Sequence, residues 1–191
     1  MTAHVMNVKL SALIIIDMQK GMTFDRLPPR NNPSAEDHIA QLLEAYRASQ
    51  LTVVHIRHMS RSPKSVFYPG QIGVEAQERF KAFDTEAVFE KNVPDAFCHT
   101  GLERWLHARG INNLVIVGVS TNNSVESTVR SAGNLGFTTT VVANACFAFE
   151  QPDFGGNFRS AEDVHLMSLA NLDGEYATVK STVDVLSQLT K

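Results

Sequence analysis

The sequence has little of what marks several specialised classes of protein. Its 191 residues include two cysteines, too few for a framework of disulfide bridges, so we expect Cys98 and Cys146 to be free thiols in a reducing cytosol. It has 17 lysine and arginine residues against 20 aspartate and glutamate residues, and no basic stripe that would bind nucleic acid. The longest apolar run, residues 12–16, is far shorter than the ~20 residues that cross a membrane. We therefore expect neither nucleic acid nor a membrane as a partner.

Two further absences concern location and cofactors. Residues 1–9 contain no apolar core followed by a small-residue cleavage site, so no secretory signal is predicted and we expect a cytoplasmic protein. The first apolar run is followed neither by a Gly-x-Gly-x-x-Gly pattern nor by a P-loop. The sequence therefore predicts no organic cofactor.

The composition, 43% hydrophobic and 19% charged, is typical of a globular chain. Five apolar segments rich in β-branched residues predict buried strands, and apolar residues at helical spacing lie between most of them. Because such strands alternate with helices, we predict an α/β fold: one doubly wound domain over residues 1–191, with a parallel β-sheet flanked by helices on both faces. The predicted strands are residues 12–16, 52–56, 87–89, 114–117 and 140–143, and the helical positions include Ile39, Leu42, Leu43, Tyr46, Leu102, Trp105 and Leu106.

Two connecting segments, residues 21–34 and 151–159, are irregular and rich in proline or glycine. They are either walls of a pocket or plain surface connections. After the second segment, Ser160 precedes Asp163 at the spacing of a helix cap, which predicts the start of a packed helix. Its predicted apolar positions are Val164, Met167 and Ala170.

Polar residues follow three of the predicted strands. Asp17 ends the first run, Lys91 follows the third strand, and Ser124 lies in the polar stretch after the fourth, ahead of a helix marked by Val125 and Val129. Parallel α/β sheets bind ligands beyond the carboxyl ends of their strands, so we expect the three polar side chains to meet at one edge. Each alone has an ordinary explanation: a turn residue, a solvated strand end and a helix start.

Together, the segments around these residues resemble the isochorismatase-like hydrolases, also called the cysteine hydrolase superfamily. The resemblance covers nearly the whole chain and implies the doubly wound fold, a small-molecule substrate and a homodimer or larger homo-oligomer. It implies a catalytic triad of Asp, Lys and Cys, whose positions here hold Asp17, Lys91 and Ser124. The segments are residues 13–19 (LIIIDMQ), 89–91 with 95–97 (FEK and DAF), and 118–128 with 134–137.

The resemblance also implies a cis peptide bond between Val119 and Ser120. Such a bond would direct the backbone amides of Ser120 and Ser124 into an oxyanion hole, where they would stabilise negative charge on a substrate oxygen. Five residues are predicted to line the substrate pocket around this site. They are Phe24, His58, Tyr68, Asn123 and Phe149.

No metal site is predicted. His55 and His58 lie three residues apart on a predicted strand, so their side chains point to opposite faces and are poorly placed to share one ion. Nor does either histidine stand in the Asp-x-His pattern through which the related nicotinamidases bind zinc.

Serine at position 124 departs from the family pattern and leaves three interpretations open. In the first, the chain is an amide hydrolase whose cysteine has been replaced, for instance by engineering. In the second, it resembles the true isochorismatases, in which an aspartic acid protonates an enol-pyruvyl side chain and water adds without a covalent nucleophile. In the third, it binds a small molecule without turnover. A hydroxyl is far more basic than a thiol, so a lone carboxylate is a poor base for Ser124.

Overall fold

Eight strands lie within residues 11–189, the part of the chain that the computed structural model describes. They are β1 (Ser11–Ile16), β2 (Thr52–His58), β3 (Ala87–Lys91), β4 (Asn113–Val119), β5 (Thr138–Phe147), β6 (Gln151–Pro152), β7 (Phe158–Arg159) and β8 (Thr178–Lys180). Six form a parallel sheet in the order β3-β2-β1-β4-β5-β8. The chain reverses its direction of growth between β1 and β4, which is where doubly wound sheets bind ligands. The prediction about residues 1–9 lies outside the described residues.

Five helices cover the two faces of this sheet: α1 (Ala35–Ala48), α2 (Leu102–His107), α3 (Glu126–Asn134), α4 (Ala161–Leu172) and α5 (Thr182–Leu189). Leu13 and Ile15 of β1 belong to the core under α1 and α5, whereas Ile14 and Ile16 belong to the core under α2, α3 and α4. The predicted α/β fold with helices on both faces is confirmed. Within the described ranges, every helix is too short or too polar to cross a membrane.

The predicted strands are all present, but their ends differ from the prediction. β2 continues to His58 and β3 continues to Lys91, because these two polar residues pair with each other in the sheet. The segment 151–159 is not irregular but forms the β6–β7 hairpin, in which Asp153 accepts hydrogen bonds from Asn157 and Arg159. β8 pairs with β5. Because β8 has three residues, it is too short to be predicted from an apolar pattern.

The start of α4 was predicted correctly, but its packed face was not. Ser160 Oγ accepts a hydrogen bond from the Asp163 backbone at 3.1 Å, as a helix cap should. The predicted apolar positions face outward: Met167 is 65% exposed, Ala170 is exposed and Val164 is half-buried. The buried face instead consists of His165, Ser168, Leu169 and Leu172. The polar contacts of His165 and Ser168 determine which face of the helix is buried, and a hydropathy pattern does not reveal such contacts.

A polar network joins α1 to β2 through Glu86, which precedes β3. Its carboxylate accepts hydrogen bonds from Arg47 of α1 at 2.7 and 2.8 Å. It also accepts from His55 of β2 and from the Phe83 backbone, both at 2.9 Å. Burial by itself would raise the pKa of Glu86, but these donors lower it to about 2. The network thus favours the ionised carboxylate and holds the β3 side of the sheet against α1.

Replacing Glu86 with Gln is expected to lower the free energy of unfolding at pH 7 by about 1–3 kcal/mol, because Arg47 loses a charged partner. The carboxylate stabilises the fold above its ordinary pKa of 4.5, and this contribution is lost as the pH falls toward the folded-state pKa of about 2. Urea titrations of the wild type and the variant should therefore converge between pH 5 and pH 2. Equal unfolding midpoints at pH 7 would contradict this account.

Candidate active site

Three polar side chains from separate strands meet at the carboxyl edge of the sheet. Asp17 directly follows β1, Lys91 is the last residue of β3, and Ser124 follows β4. Lys91 Nζ donates hydrogen bonds to Asp17 Oδ2 at 2.7 Å and to Ser124 Oγ at 3.1 Å. Residues that are far apart in the sequence therefore share one ammonium group.

The site is buried, which decides its electrostatics. Asp17, Lys91 and Ser124 are 1%, 2% and 7% exposed. Burial raises the pKa of Asp17 above its ordinary 3.8, although the charge and hydrogen bond of Lys91 and the Ser124 hydroxyl act in the opposite direction. Within residues 11–189, Asp17 Oδ1 is a buried oxygen without a hydrogen-bond partner. One carboxyl oxygen is thus fixed by Lys91, and the other is held by no hydrogen bond from the described residues.

Asp17 is placed by the backbone that leaves β1. Its NH still donates to Ile56 of β2 at 3.0 Å, but its φ of 54° is left-handed and turns the chain away from the sheet. Aspartate is one of the residues that tolerate this conformation. Two residues later, the buried Gln19 side chain donates to the His58 carbonyl at 3.0 Å and accepts from the His58 NH at 2.8 Å. Sequence analysis gave Gln19 no role, although it lies in the segment that carries the resemblance.

Ser124 is placed by a close approach of β4 to β1. Gly118 of β4 has φ +124°, and a Cβ there would lie 2.1 Å from the Ile16 carbonyl oxygen, so glycine is required. The next peptide bond, Val119–Ser120, is cis, as the resemblance implies. The Ser120 carbonyl then accepts the NH groups of Asn123 and Val125. This closes a π-helical turn, Thr121–Val125, that leads into α3. The oxyanion role of the Ser120 and Ser124 amides stays a prediction.

The segment after Lys91 is attached to the helix that follows Ser124. The Ala96 NH donates to Thr128 Oγ1 of α3 at 3.1 Å, and Ser131 Oγ of the same helix donates to Asp95 Oδ2 at 2.5 Å. These bonds explain why the Asp-Ala-Phe motif stands a few residues after Lys91. They tie together the two chain segments that carry the ammonium group and the hydroxyl.

The predicted pocket residues lie in different places. His58 pairs with Lys91 in the sheet and is half-buried, and burial followed by the charge of Lys91 lowers its pKa while Asp17 opposes the shift. Phe24 and Phe149 line one cavity of about 380 Å³. Tyr68 is 37% exposed, and Asn123 is exposed at the turn that carries Ser124. Of the five, His58 is thus the one that pairs directly with a triad residue, and the roles of all five stay predictions.

The two cysteines and His55 do not join this site. Cys146 is buried, and burial raises the pKa of its thiol to about 12, which makes it unreactive. Cys98 is partly buried in the loop before α2. The His55 ring is hydrogen-bonded to Glu86 through Nε2. Among residues 11–189, no three His, Cys, Asp or Glu side chains are grouped so that they could hold a metal ion.

Comparisons with known proteins identify relatives of this chain. The isochorismatase domain model matches residues 11–183. An isochorismatase-family crystal structure from Chromobacterium violaceum shares 45% identity with a TM-score of 0.94 and covers 97% of this chain and 96% of its own. The Bacillus subtilis isochorismatase family proteins YrdC and YddQ are 37% and 33% identical, over 94% and 90% of this chain and 96% of each relative.

Replacing Lys91 with Met tests the buried pair without assuming any reaction. Without the ammonium group, the pKa of Asp17 should rise further above 3.8, while the unfolded chain titrates near that value. When the pKa of a carboxyl is higher in the folded protein than in the unfolded chain, the free energy of unfolding falls as the pH rises from the unfolded-state pKa to the folded-state pKa. The loss of Tm relative to the wild type should therefore be smallest near pH 4 and grow to roughly 4–10 °C at pH 7.

The control is Lys91→Met combined with Asp17→Asn, measured by thermal unfolding over the same pH range. This double variant has no carboxyl at position 17, so the growth of the Tm difference with pH should disappear. A Tm difference for Lys91→Met that stays constant from pH 4 to pH 7 would show that the two groups are not electrostatically coupled.

Proposed function

We propose that this chain, which belongs to the isochorismatase family of hydrolases, hydrolyses a small enol ether by proton transfer at Asp17. One observation carries the proposal. Lys91 fixes Asp17 Oδ2 at 2.7 Å, while the other oxygen is buried and unpaired within the described residues. Burial also raises the pKa of this carboxyl, which favours the protonated form that an acid catalyst needs.

The reaction balances with this one group and water. Asp17 gives its proton to the terminal carbon of the enol ether, and the ether carbon becomes an oxocarbenium ion. Water adds to that carbon and returns a proton to Asp17. The resulting hemiketal then breaks its C–O bond, which yields a ketone and an alcohol. Lys91 stabilises the carboxylate while the proton is away.

Ser124 has a supporting part in this scheme. Its oxygen already accepts a hydrogen bond from Lys91, so its hydroxyl hydrogen can be donated to the attacking water or to a substrate oxygen. The hydroxyl does not need to be deprotonated, which a carboxylate beside an ammonium group would do poorly. The route therefore avoids the step for which serine is least suited.

Amide hydrolysis with Ser124 as the nucleophile is the second candidate. Its support is the position of Ser124 Oγ at 3.1 Å from Lys91 Nζ, together with the names of relatives. Nicotinamidase 3 of Arabidopsis thaliana and maleamate amidohydrolase of Pseudomonas putida are 26% and 28% identical to this chain. The enol-ether route has a named relative as well, the secreted isochorismatase effector Isc1 of Verticillium dahliae, at 27% identity.

The substrate is expected to be compact. Phe24 lies in the segment after β1 and Phe149 follows β5, and together they line a cavity of about 380 Å³ whose lining does not include Asp17, Lys91 or Ser124. Asp25, Arg30 and Glu36 also line it, and Arg30 and Glu36 are paired with each other. In the proposed function, the apolar side of a small substrate would contact the two phenylalanines. Cytoplasmic location and homo-oligomeric assembly stay predictions.

The pH dependence of kcat separates an acid role of Asp17 from a base role. An acid must be protonated, so kcat for isochorismate should fall as the pH rises through the raised pKa of Asp17. A base would give the opposite slope, with activity rising through the same pKa. Asp17→Asn should lower kcat by about 10²–10⁴-fold. Wild-type activity in Asp17→Asn would contradict the proposal. If the wild type turns over neither isochorismate nor any simple amide, the interpretation that remains is binding of a small molecule without turnover.

Substitutions at position 124 separate the two reactions. In the enol-ether route, Ser124→Ala should keep kcat for isochorismate within about tenfold, because no covalent bond to the hydroxyl is formed. In the amide route, Ser124→Ala should abolish turnover of nicotinamide and maleamate, and Ser124→Cys should increase it, because a thiol is more easily deprotonated. Steady-state assays on both substrate classes, with variants checked by circular dichroism, measure the difference.

A further inference from the structure

The buried face of α4 carries polar residues where apolar ones would suffice for packing. His165 and Ser168 are 3% and 2% exposed, and both contact Thr121, the first residue of the turn that carries Ser124. We propose that His165, assisted by Ser168, is a positioning residue that fixes the Thr121–Val125 turn and so holds Ser124 against Lys91. As far as it concerns catalysis, this inference rests on the proposed function.

The contacts enclose the turn from both ends. His165 Nδ1 lies 2.8 Å from Thr121 Oγ1. Ser168 Oγ lies 3.0 Å from the Thr121 carbonyl and 2.6 Å from Glu126 Oε2. Thr121 opens the turn and Glu126 begins α3 directly after it. Ser124 therefore lies between two residues that the same helix holds.

The hydrogen-bond partners also fix which ring nitrogen of His165 carries the proton. Asn32 Nδ2 lies 3.4 Å from His165 Nε2 and donates to the carbonyls of Ala143 at 3.0 Å and Cys146 at 2.6 Å. The two carbonyls take both hydrogens of this amide, and its nitrogen is no acceptor for an Nε2–H, so the tautomer with the proton on Nδ1 leaves no ring N–H unsatisfied. Nδ1–H therefore donates to Thr121 Oγ1, and His165 acts as a neutral donor of fixed direction.

Packing alone does not account for these polar residues. Leu169 and Leu172 of the same helix already bury apolar surface against the sheet. A buried imidazole and a buried hydroxyl are costly unless each is hydrogen-bonded. Their bonds converge on the backbone and side chain of one residue, Thr121, three positions before Ser124. The arrangement fixes the orientation of the turn, which dispersion contacts would specify less sharply.

The first experiment compares variants that break the contact with variants that keep it. Thr121→Val and His165→Leu should each lower kcat about five- to tenfold, no more than the loss of the Ser124 hydroxyl itself, with KM changed less than threefold, because Ser124 is misplaced while the pocket is kept. Thr121→Ser and His165→Asn retain a hydroxyl or an amide donor and should stay within threefold of the wild type. The double variant Thr121→Val/His165→Leu should be no worse than the more damaging single variant, because both remove one interaction.

Leu172→Ala is the matched control, because it removes buried surface from α4 without touching the turn. It should lower Tm while kcat per folded molecule, with the folded fraction taken from circular dichroism, stays within twofold of the wild type. If Thr121→Val does not fold, Ser168→Ala replaces it, since it deletes one hydroxyl only. The inference is overturned if kcat tracks Tm equally in the α4 control and in the contact variants.

The second experiment needs no turnover. In a Ser124→Cys background, the rate at which iodoacetamide alkylates the thiol at position 124 reports how close that thiol is to Lys91, because a nearby ammonium group favours the thiolate. Peptide mass spectrometry distinguishes this thiol from Cys98 and Cys146. Adding His165→Leu or Thr121→Val should shift the midpoint of the pH–rate profile upward and lower the rate at pH 7 at least threefold, whereas adding Leu172→Ala should change neither.

Together, the two experiments distinguish failure of the positioning role from failure of the proposed function. If no substrate is turned over but the alkylation profile responds to His165→Leu, the positioning role stands and the proposed function is wrong. If isochorismate is hydrolysed but neither kcat nor the alkylation profile responds to the contact variants, the proposed function stands and the positioning role is wrong.

Discussion

The buried ion pair of Lys91 and Asp17 is the constraint on which the rest of the site depends. Removing two charges from water costs several kcal/mol for each ion, and their attraction offsets this only at contact distance with good geometry. Lys91 ends β3 and Asp17 directly follows β1, and these two strands are separated by β2. Their 2.7 Å contact therefore requires the register of all three strands, and the bonds of Gln19 to both backbone groups of His58 fix the loop that carries Asp17.

The Ser124 hydroxyl lies at the same edge of the sheet, but a close approach of two strands places it there. β4 lies beside β1, and the missing side chain of Gly118 lets the two strands approach more closely than any other residue would permit. The chain then forms the Thr121–Val125 turn and enters α3, while Thr121 is held from α4 and the segment after Lys91 is held from α3. Each group of the triad is thus fixed by an element other than the one that carries it.

Features that depend on neighbouring residues could be predicted from the sequence, whereas features that depend on contacts between distant residues could not. Apolar runs and the Ser160 cap are local signals, so the central strands, the two-sided fold and the start of α4 were predictable. The burial of Lys91 depends on its pairing with His58 across strands, and the packed face of α4 depends on polar contacts of His165 with a distant turn. Neither dependence is visible in a hydropathy pattern. The convergence of Asp17, Lys91 and Ser124 was predictable only because strand ends of a parallel sheet share one edge.

The chemistry follows from the opposed influences on Asp17. Burial favours its neutral form and prevails, so the proton is held more tightly than in an ordinary aspartic acid, whereas Lys91 stabilises the carboxylate that remains after the proton has left. A thiol at position 124 would compete for the role of proton donor to Asp17, because its pKa is low enough for a carboxylate to reach with help. A serine hydroxyl does not compete in this way. In the proposed reaction the mobile proton of the site therefore belongs to Asp17, and its recipient is the terminal carbon of an enol ether.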